Sequence, residues 1–210
     1  MNVEIKFDDK VLKGVLFIPE KAKSLVIFSH GSGSGRLSPR NQFVAGQLNK
    51  EGIATLLMDL LTKEEEIVDD VTAELRFDIL FLAERLIAVI NWTKKHLKTK
   101  SLKIGLFGAS TGVAAALIAA ARMSKDIFAV VSRGGRPDLA ETVLLQVRSP
   151  TLLIVGGDDV DVLELNKKAF AKLTCEKKLE IVEGATHLFE EPGKLEEVAR
   201  LAMRWFKMHS

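Results

Sequence analysis

The sequence predicts an α/β protein with a mainly parallel sheet of about eight strands and helices on both faces. Short apolar runs alternate with segments of helical periodicity along most of the chain, and such alternation favours parallel strands joined by right-handed crossovers. Only the first two strands, which follow each other without a helix, are expected to run antiparallel to their neighbours. The 210 residues contain no internal repeat and no long linker, so residues 1–210 are expected to form one domain.

The first elements follow from apolar runs and the turns between them. Val3–Phe7 and Val11–Ile18 flank Asp8-Asp9-Lys10 and predict a hairpin. Ser24–His30 predicts a buried strand that leads into the glycine-rich loop Gly31–Gly35. The periodicity then predicts a helix from Pro39 to about Lys50, a strand at Ile53–Asp59 and a long helix from about Thr72 to His96.

The long helix is predicted from an apolar stripe at Leu75, Ile79, Leu82, Leu86, Ile90 and Leu97. The acidic residues before it, Glu64-Glu65-Glu66 and Asp69-Asp70, predict a solvated loop. Asp161 and Glu164 match a capping box, which assigns Asp161 to the start of a later helix. The remaining predicted elements are strand Leu102–Phe107, helix Ser110–Met123, strand Ile127–Ser132, a short helix near Leu139–Gln146, strand Thr151–Val155, helix Val162–Leu173, strand Leu179–Val182 and a helix from about Pro192 to Met208.

The composition argues against several classes of protein. The 30 basic and 28 acidic residues leave a formal net charge of +2, so no overall field attracts nucleic acid or an anionic membrane. The single cysteine, Cys175, allows no internal disulfide and suits a reducing compartment. Neither a secretory signal nor an apolar run of membrane-spanning length is visible. We therefore expect a cytoplasmic protein, and the sequence leaves its oligomeric state open.

The motif Gly108-Ala109-Ser110-Thr111-Gly112 is the strongest sign of chemistry in the chain. It lies between a predicted strand and a predicted helix, which is the setting of a nucleophilic serine on a sharp turn. Side chains two residues before and after the serine would crowd such a turn, and glycine at both positions removes that clash. The motif therefore predicts Ser110 as a nucleophile.

Two later loops hold the partners that a serine nucleophile needs. Gly156-Gly157-Asp158-Asp159 follows one predicted strand, and Glu183-Gly184-Ala185-Thr186-His187 follows the next. The carboxyl ends of parallel strands meet at one edge of a sheet, so these loops should approach Ser110. A neutral His187 would take the serine proton, and a carboxylate would hold its other ring nitrogen. From the residues alone, either Asp158 or Asp159 can supply that carboxylate.

The negative charge that develops on the substrate oxygen needs donors that are already in place. We expect the backbone N–H of Thr111, at the amino end of a helix, to be one of them. The second is expected from the loop after His30, at the Ser32 N–H, with His30 shaping that loop.

A rival interpretation of Gly31–Gly35 is a phosphate cradle. The loop lacks the Lys-Ser/Thr ending of a P-loop, and Arg36 occupies the place of the third glycine in a dinucleotide fingerprint. The spacing of Asp158, Asp159 and Asp161 does not fit a calcium loop. The sequence thus predicts no cofactor and no metal.

The motifs together resemble the α/β-hydrolase superfamily, in particular its dienelactone-hydrolase-like branch. The resemblance covers nearly the whole chain. Within that branch, the chain is most similar to hydrolases that are sometimes fused to phosphoribosyltransferase domains. The resemblance is carried by His30-Gly31-Ser32-Gly33-Ser34-Gly35, Ser38-Pro39-Arg40-Asn41, Phe107–Gly112, Ser132-Arg133-Gly134-Gly135-Arg136-Pro137 and Gly184–Glu190.

The resemblance implies an α/β-hydrolase fold without a lid and an acid three residues after a glycine that ends a strand, which is Asp159 after Gly156. The resemblance names no substrate. The ordered serine, acid and histidine with a plausible oxyanion hole predict cleavage of a carboxylic ester, lactone or thioester through an acyl-enzyme on Ser110. The short connection from Arg133 to Pro150 predicts an open site that favours small soluble substrates. Dienelactone hydrolases carry cysteine as nucleophile, and this chain has serine instead. Acyl transfer by the same triad, or a non-catalytic binding module that keeps the fold, are the alternatives.

Four arginines are candidates for binding a small anionic substrate. Arg36 and Arg40 follow the strand that ends at His30, whereas Arg133 and Arg136 follow the strand that ends at Ser132. Both loops leave the sheet at the same edge as Ser110, and guanidinium groups hold carboxylates and phosphates well. The alternative is that these arginines pair with Asp138, Glu141 or backbone carbonyls and stiffen their loops.

Overall fold

A computed structural model describes all residues from 1 to 210. The strands are β1 (Asn2–Phe7), β2 (Lys10–Phe17), β3 (Ser24–Ser29), β4 (Ala54–Met58), β5 (Lys103–Ala109), β6 (Ile127–Arg133), β7 (Thr151–Gly156) and β8 (Lys177–Val182). The α-helices are α1 (Pro39–Lys50), α2 (Lys63–Thr72), α3 (Ile79–Lys95), α4 (Gly112–Arg122), α5 (Val160–Lys172) and α6 (Lys194–His209). Two 3-10 segments, Leu75–Phe77 and Pro137–Gln146, complete the fold.

The eight strands form one sheet in the order β1-β2-β4-β3-β5-β6-β7-β8. β2 runs antiparallel to β1 and to β4, and every other pairing is parallel. The predicted hairpin and the mostly parallel sheet are therefore confirmed. The carboxyl ends of β3, β5, β6, β7 and β8 lie at one edge of the sheet, where binding residues gather in such folds.

Helices cover both faces of the sheet. On one face α1 and α6 pack on the strands through Val44, Leu48, Val198 and Phe206. On the other face α3, α4 and α5 bury Leu86, Leu117 and Ala169, among others. Six of the seven residues of β5 are buried, because this central strand is covered on both sides. No helix has the length and hydropathy needed to cross a membrane.

The prediction of a solvated acidic loop before the long helix was wrong, because the acidic stretch itself forms the helix α2. Thr62 accepts the Glu65 N–H, and the Glu65 side chain accepts the Thr62 N–H, which starts the helix at that point. The helix ends at Ala73, which has a left-handed φ of 55°. α3 therefore begins only after Asp78, and Leu97, predicted in the apolar stripe, is exposed.

The predicted capping box at Asp161 and Glu164 is also absent. α5 starts two residues earlier, with Asp159 in the capping position and Asp161 inside the first turn. Asp159 does not cap the helix with its side chain. The connection between β6 and β7 holds only the 3-10 segment Pro137–Gln146, and no lid is inserted there.

Candidate active site

Ser110 lies on a sharp turn between β5 and α4. Its φ of 49° is left-handed, a conformation that is strained for a residue with a side chain and that recurs at functional sites. A Cβ at Gly108 would lie 2.5 Å from the Cα of Val113, and one at Gly112 would overlap the carbonyl oxygens of Ser29 and His30. The two glycines therefore allow the close packing that leaves the Ser110 hydroxyl at the tip of the turn.

The structure brings Ser110, Asp159 and His187 together from the ends of β5, β7 and β8. His187 Nδ1 lies 2.7 Å from Asp159 Oδ2, and His187 Nε2 lies 3.3 Å from Ser110 Oγ. A carboxylate can only accept, so Nδ1 carries the proton and Nε2 is free to accept from the serine. Asp158 is exposed, and the acid at the histidine is Asp159.

The loop that carries His187 is fixed by residues that the sequence reasoning did not single out. Phe189 has a left-handed φ of 57° and a fully buried ring in the core beneath the loop. Glu191 accepts hydrogen bonds from the Thr186 N–H and hydroxyl, at 3.1 and 2.5 Å. Hydrogen bonding to Thr186 lowers the pKa of Glu191 below its usual value. In the sequence, the sign of this anchoring is the apolar pair Leu188-Phe189 in an otherwise polar loop.

The two expected oxyanion donors lie next to each other, but one is occupied. The Ser32 N–H donates to the Thr111 hydroxyl at 3.0 Å. The Thr111 N–H precedes α4 and has no acceptor among the loop hydrogen bonds. A Cβ at Gly31 would lie 2.9 Å from the Cβ of Ser110, so only glycine lets this loop approach the serine so closely.

His30 has a structural place at the start of the same loop. Its Nε2 accepts the Leu60 N–H at 3.1 Å, and its Nδ1 lies 2.9 Å from the Gly31 carbonyl oxygen. The N–H can only donate and the carbonyl can only accept, so the ring is neutral and protonated on Nδ1. Burial lowers the pKa of His30, and its hydrogen bond to Gly31 offsets only part of that effect.

Three of the four candidate arginines are paired with acids. Arg36 contacts Asp59, and Arg40 donates to Glu190 at 2.7 Å. Arg136 makes a two-pronged contact with Asp138, at 2.9 and 2.8 Å. Arg133 is buried at the end of β6 and forms no ion pair with an acid. The one charged group that influences its pKa is Arg40.

A polar cavity of about 510 Å³ adjoins the site. It lies between the loop after β3 and the α2 region, and Ser32, Arg40, Asp59 and Arg76 are among the residues that line it. Ser110 is not among them. The cavity is therefore a space beside the candidate triad, into which part of a ligand can extend.

The comparison with protein families decides between the many proteins that share this fold. The model of the dienelactone hydrolase family matches residues 12–209. The chain belongs to the dienelactone hydrolase family. This hydrolase family was predicted from the motifs, and the prediction is confirmed.

Solved structures agree with this assignment. A dienelactone hydrolase from Anabaena variabilis is 52% identical, with a TM-score of 0.98 and coverage of 100% of this chain and 97% of that one. Est1E from Butyrivibrio proteoclasticus is 18% identical, with a TM-score of 0.83 over 99% of this chain and 98% of its own. At that identity the second likeness is evidence for the fold alone.

Curated relatives are longer than this dienelactone hydrolase family member. Two Mycobacterium tuberculosis proteins, provisionally named phosphoribosyl transferases, are 55% identical over 196 residues. The match spans 93% of this chain and 43% of each relative. The chain thus corresponds to less than half of those proteins, and the name of the whole relative is not carried over to it.

Proposed function

We propose that this protein is a serine hydrolase that cleaves small carboxylic esters, lactones or thioesters through an acyl-enzyme on Ser110. The observation that carries the proposal is the hydrogen-bonded series Asp159, His187 and Ser110, with contacts of 2.7 and 3.3 Å. A triad of this kind is recognised by its geometry and by the role of each group. Membership of a hydrolase family supports the same reaction class.

In the first half of the reaction, Ser110 Oγ forms a bond to the carbonyl carbon while His187 Nε2 takes the serine proton. The electron pair of the C=O bond moves to oxygen, and we assign to the Thr111 N–H, which has no acceptor among the loop hydrogen bonds, the role of stabilising it. When that pair returns, the bond to the leaving group breaks and the leaving group takes the proton from His187. Asp159 stabilises the imidazolium between these two transfers.

In the second half, water replaces the leaving group. His187 Nε2 takes a proton from water, the hydroxide oxygen bonds to the acyl carbon, and Ser110 leaves with the proton returned by His187. An alcohol or thiol in place of water would give acyl transfer by the same steps. The open connection between β6 and β7 favours small soluble substrates over long acyl chains.

The proposal is tested with short-chain 4-nitrophenyl esters and a fluorophosphonate probe. We expect turnover of the esters and labelling of Ser110, both lost in Ser110→Ala. Ser124→Ala, an exposed serine beyond the far end of α4, is the matched control and should react like the wild type.

Other outcomes assign other functions. No labelling and no turnover of esters, lactones or thioesters would refute the proposal and favour a non-catalytic binding module. Labelling with turnover that rises and gives a new acylated product when alcohols or thiols are added would indicate acyl transfer.

A further inference from the structure

The loop at the end of β6, residues 133–136, holds the sharp turn at Ser110 from both sides. The Ser110 N–H donates to the Arg133 carbonyl oxygen at 3.2 Å, and the Arg136 N–H donates to the Ser110 carbonyl oxygen at 3.0 Å. The strained, left-handed φ of 49° at Ser110 persists only where the surroundings fix it. Residues 133–136, called the β6 loop below, supply that restraint to the nucleophile turn.

The β6 loop is also closely packed on its other sides. Gly134 has a left-handed φ of 51°, and an added Cβ there would lie 3.0 Å from the carbonyl oxygen of His187, in the histidine loop. An added Cβ at Gly135 would lie 2.6 Å from Val113 at the start of α4. Close-packed groups transmit strain, so a displacement of the β6 loop would move Ser110 and His187 relative to each other.

The side chain that holds the β6 loop is Asn166 on α5. It is wholly buried, and its Nδ2 donates to the Gly135 carbonyl oxygen at 2.9 Å and to the Val162 carbonyl oxygen at 2.8 Å. Both partners can only accept, so the amide is oriented with its nitrogen toward them. Its Oδ1 is sealed from solvent and accepts no hydrogen bond from the protein.

This arrangement gives Asn166 little net effect on stability. A buried acceptor without a partner is costly. Replacing Asn166 by leucine would remove one such acceptor, Oδ1, and create another, the Gly135 carbonyl oxygen. The two changes offset each other, so the bond to Gly135 is explained by the position it gives to the loop rather than by the stability it adds.

The helix that carries Asn166 begins at the candidate acid. Asp159 occupies the capping position of α5, and Asn166 follows two helical turns later on the same face. Asp159 in turn lies 2.7 Å from His187. The bond from Asn166 to Gly135 therefore connects the helix of the acid with the loop that restrains Ser110.

We propose that Asn166 is a positioning residue for the triad, which acts through the β6 loop to set the distance between Ser110 and His187. Its kinetic consequence rests on the proposed function, whereas its geometric consequence at His187 is measured without turnover. The contact between Ser110 Oγ and His187 Nε2 is 3.3 Å. A shift of the nucleophile turn by about 1 Å would break it, and a misplacement of that size costs about a hundred-fold in rate.

The first experiment is Asn166→Leu, which keeps the branched shape and removes the donor. With a short neutral 4-nitrophenyl ester we expect kcat to fall about ten-fold to a hundred-fold while KM is little changed. The melting temperature should stay within about 4 °C of the wild type, because one unpaired acceptor replaces another.

The matched control is Ser149→Ala, at the other end of β6. The buried Ser149 hydroxyl donates to the Ile127 carbonyl oxygen at 2.9 Å. Its loss leaves that carbonyl unpaired with nothing in exchange, so the melting temperature should fall. Because Ile127 is remote from the β6 loop, kcat should stay within about two-fold of the wild type.

Nuclear magnetic resonance reports the serine contact independently of turnover. The ¹⁵N chemical shift of His187 Nε2, at a pH at which the ring is neutral, depends on whether this nitrogen accepts a hydrogen bond. Ser110→Ala removes the donor and gives the reference value for a broken contact. We expect Asn166→Leu to move the shift toward that value, and Ser149→Ala to leave it at the wild-type value.

Asn166→Asp is a second variant, of unchanged size. Burial raises the pKa of such a carboxyl, and only its protonated form can donate to the Gly135 carbonyl oxygen. The ratio of its kcat to that of the wild type should therefore rise as the pH is lowered, a recovery that Asn166→Leu cannot show. If Asn166→Leu does not fold, the measurements on Asn166→Asp decide.

A wild-type kcat and a wild-type His187 signal in the Asn166 variants would overturn the proposal and assign Asn166 to packing. An equal loss of kcat in Ser149→Ala would overturn it as well, since any weakened bond along β6 would then have the same effect. A wild type without ester turnover would count against the proposed function alone, and the His187 signal would then decide the role of Asn166.

Discussion

Thr111 contributes two groups to the candidate site, its backbone N–H and its hydroxyl. The hydroxyl accepts the Ser32 N–H and thereby anchors a loop that contains three glycines between Gly31 and Gly35. Glycine-rich loops lose much conformational freedom on ordering. The hydrogen bond therefore holds this loop close to Ser110, and it occupies the Ser32 N–H that was the candidate for the second oxyanion donor.

We expect Thr111→Val, which keeps the shape and removes the hydroxyl, to lower kcat about five-fold to ten-fold with little change in KM, because it removes one neutral hydrogen bond. Thr111→Ser should restore most of the loss. Steady-state kinetics on a neutral short ester measure both variants. A kcat at or above the wild-type value in Thr111→Val would instead mean that the hydroxyl competes with the substrate oxygen for the Ser32 N–H.

Asp158 and Asp159 offer a pair of neighbouring carboxylates of which only one contacts His187. Asp159→Asn removes the charge that stabilises the imidazolium and favours the wrong tautomer, so kcat should fall about 10³–10⁴-fold. Asp158→Asn is the matched control and should stay within about two-fold of the wild type, as expected for an exposed surface change. Comparable losses in both variants would contradict the assignment of the acid.

At the scale of elements, α2 is joined to the next 3-10 segment through one buried carboxylate. Asp69 accepts hydrogen bonds from the Leu75 N–H and the Arg76 N–H at 2.8 and 3.1 Å, and from Arg76 Nε at 2.5 Å. Burial acts to raise the pKa of Asp69, but the hydrogen bonds from Arg76 and Leu75 outweigh it and lower the pKa. The ionised form therefore stabilises this junction.

Asp69→Asn should lower the free energy of unfolding by about 2–3 kcal/mol, since it removes a charge-assisted pair from a buried position. The control is Asp70→Asn, which affects the same arginine through an exposed carboxylate and should change stability by less than about 1 kcal/mol. Urea denaturation at neutral pH measures both. Because the folded pKa is lowered, the difference between wild type and Asp69→Asn should shrink as the solution is acidified below the usual aspartate pKa; a difference independent of pH would contradict this account.

The loop after β3 depends on a neutral histidine. The pKa of His30 is lowered in the folded state. The unfolded chain therefore binds a proton at His30 before the folded protein does, as the pH falls below about 6.5. Wild-type stability should therefore be complete above that pH and decline below it, by at most about 1.4 kcal/mol per pH unit. His30→Gln cannot titrate and should show a smaller decline.

The measurement is the free energy of unfolding of both proteins at a pH above and a pH below the usual histidine pKa. His209→Gln, at the end of α6, is the control for removal of a histidine elsewhere. Identical pH dependence in wild type and His30→Gln would show that His30 is not the group responsible.

For the molecule as a whole, local patterns were enough to predict the sheet and to select Ser110 and His187 as candidates, whereas the choice of Asp159 over Asp158 rested on the family resemblance. Each of these residues follows a strand, and the strands are visible as apolar runs. The helix α2 was missed because its acidic residues hid the Thr62 and Glu65 cap. The pairing of Arg40 with Glu190 was beyond the sequence, because the two residues are 150 residues apart in the chain.

The candidate base lies beyond the least protected strand of the parallel part of the sheet. β8 pairs only with β7, and only Val182 of its six residues is buried. Edge segments with little buried apolar surface open at lower free energy than the core. We therefore expect fluorophosphonate labelling of Ser110 to be lost at a lower urea concentration than the far-ultraviolet circular dichroism signal. Coincident transitions would contradict this, and hydrogen exchange should be faster in β8 than in β5.

Because His187 follows this weakly protected edge strand, we expect the candidate site to be lost before the protein unfolds as a whole. If β8 opens first, a preparation should keep its helices, its melting curve and its solubility after His187 has moved away from Ser110. Labelling of Ser110 is then a more sensitive test of storage conditions than any spectroscopic signal. A ligand that contacts both the nucleophile turn and the histidine loop should protect activity at concentrations that are too low to raise the melting temperature.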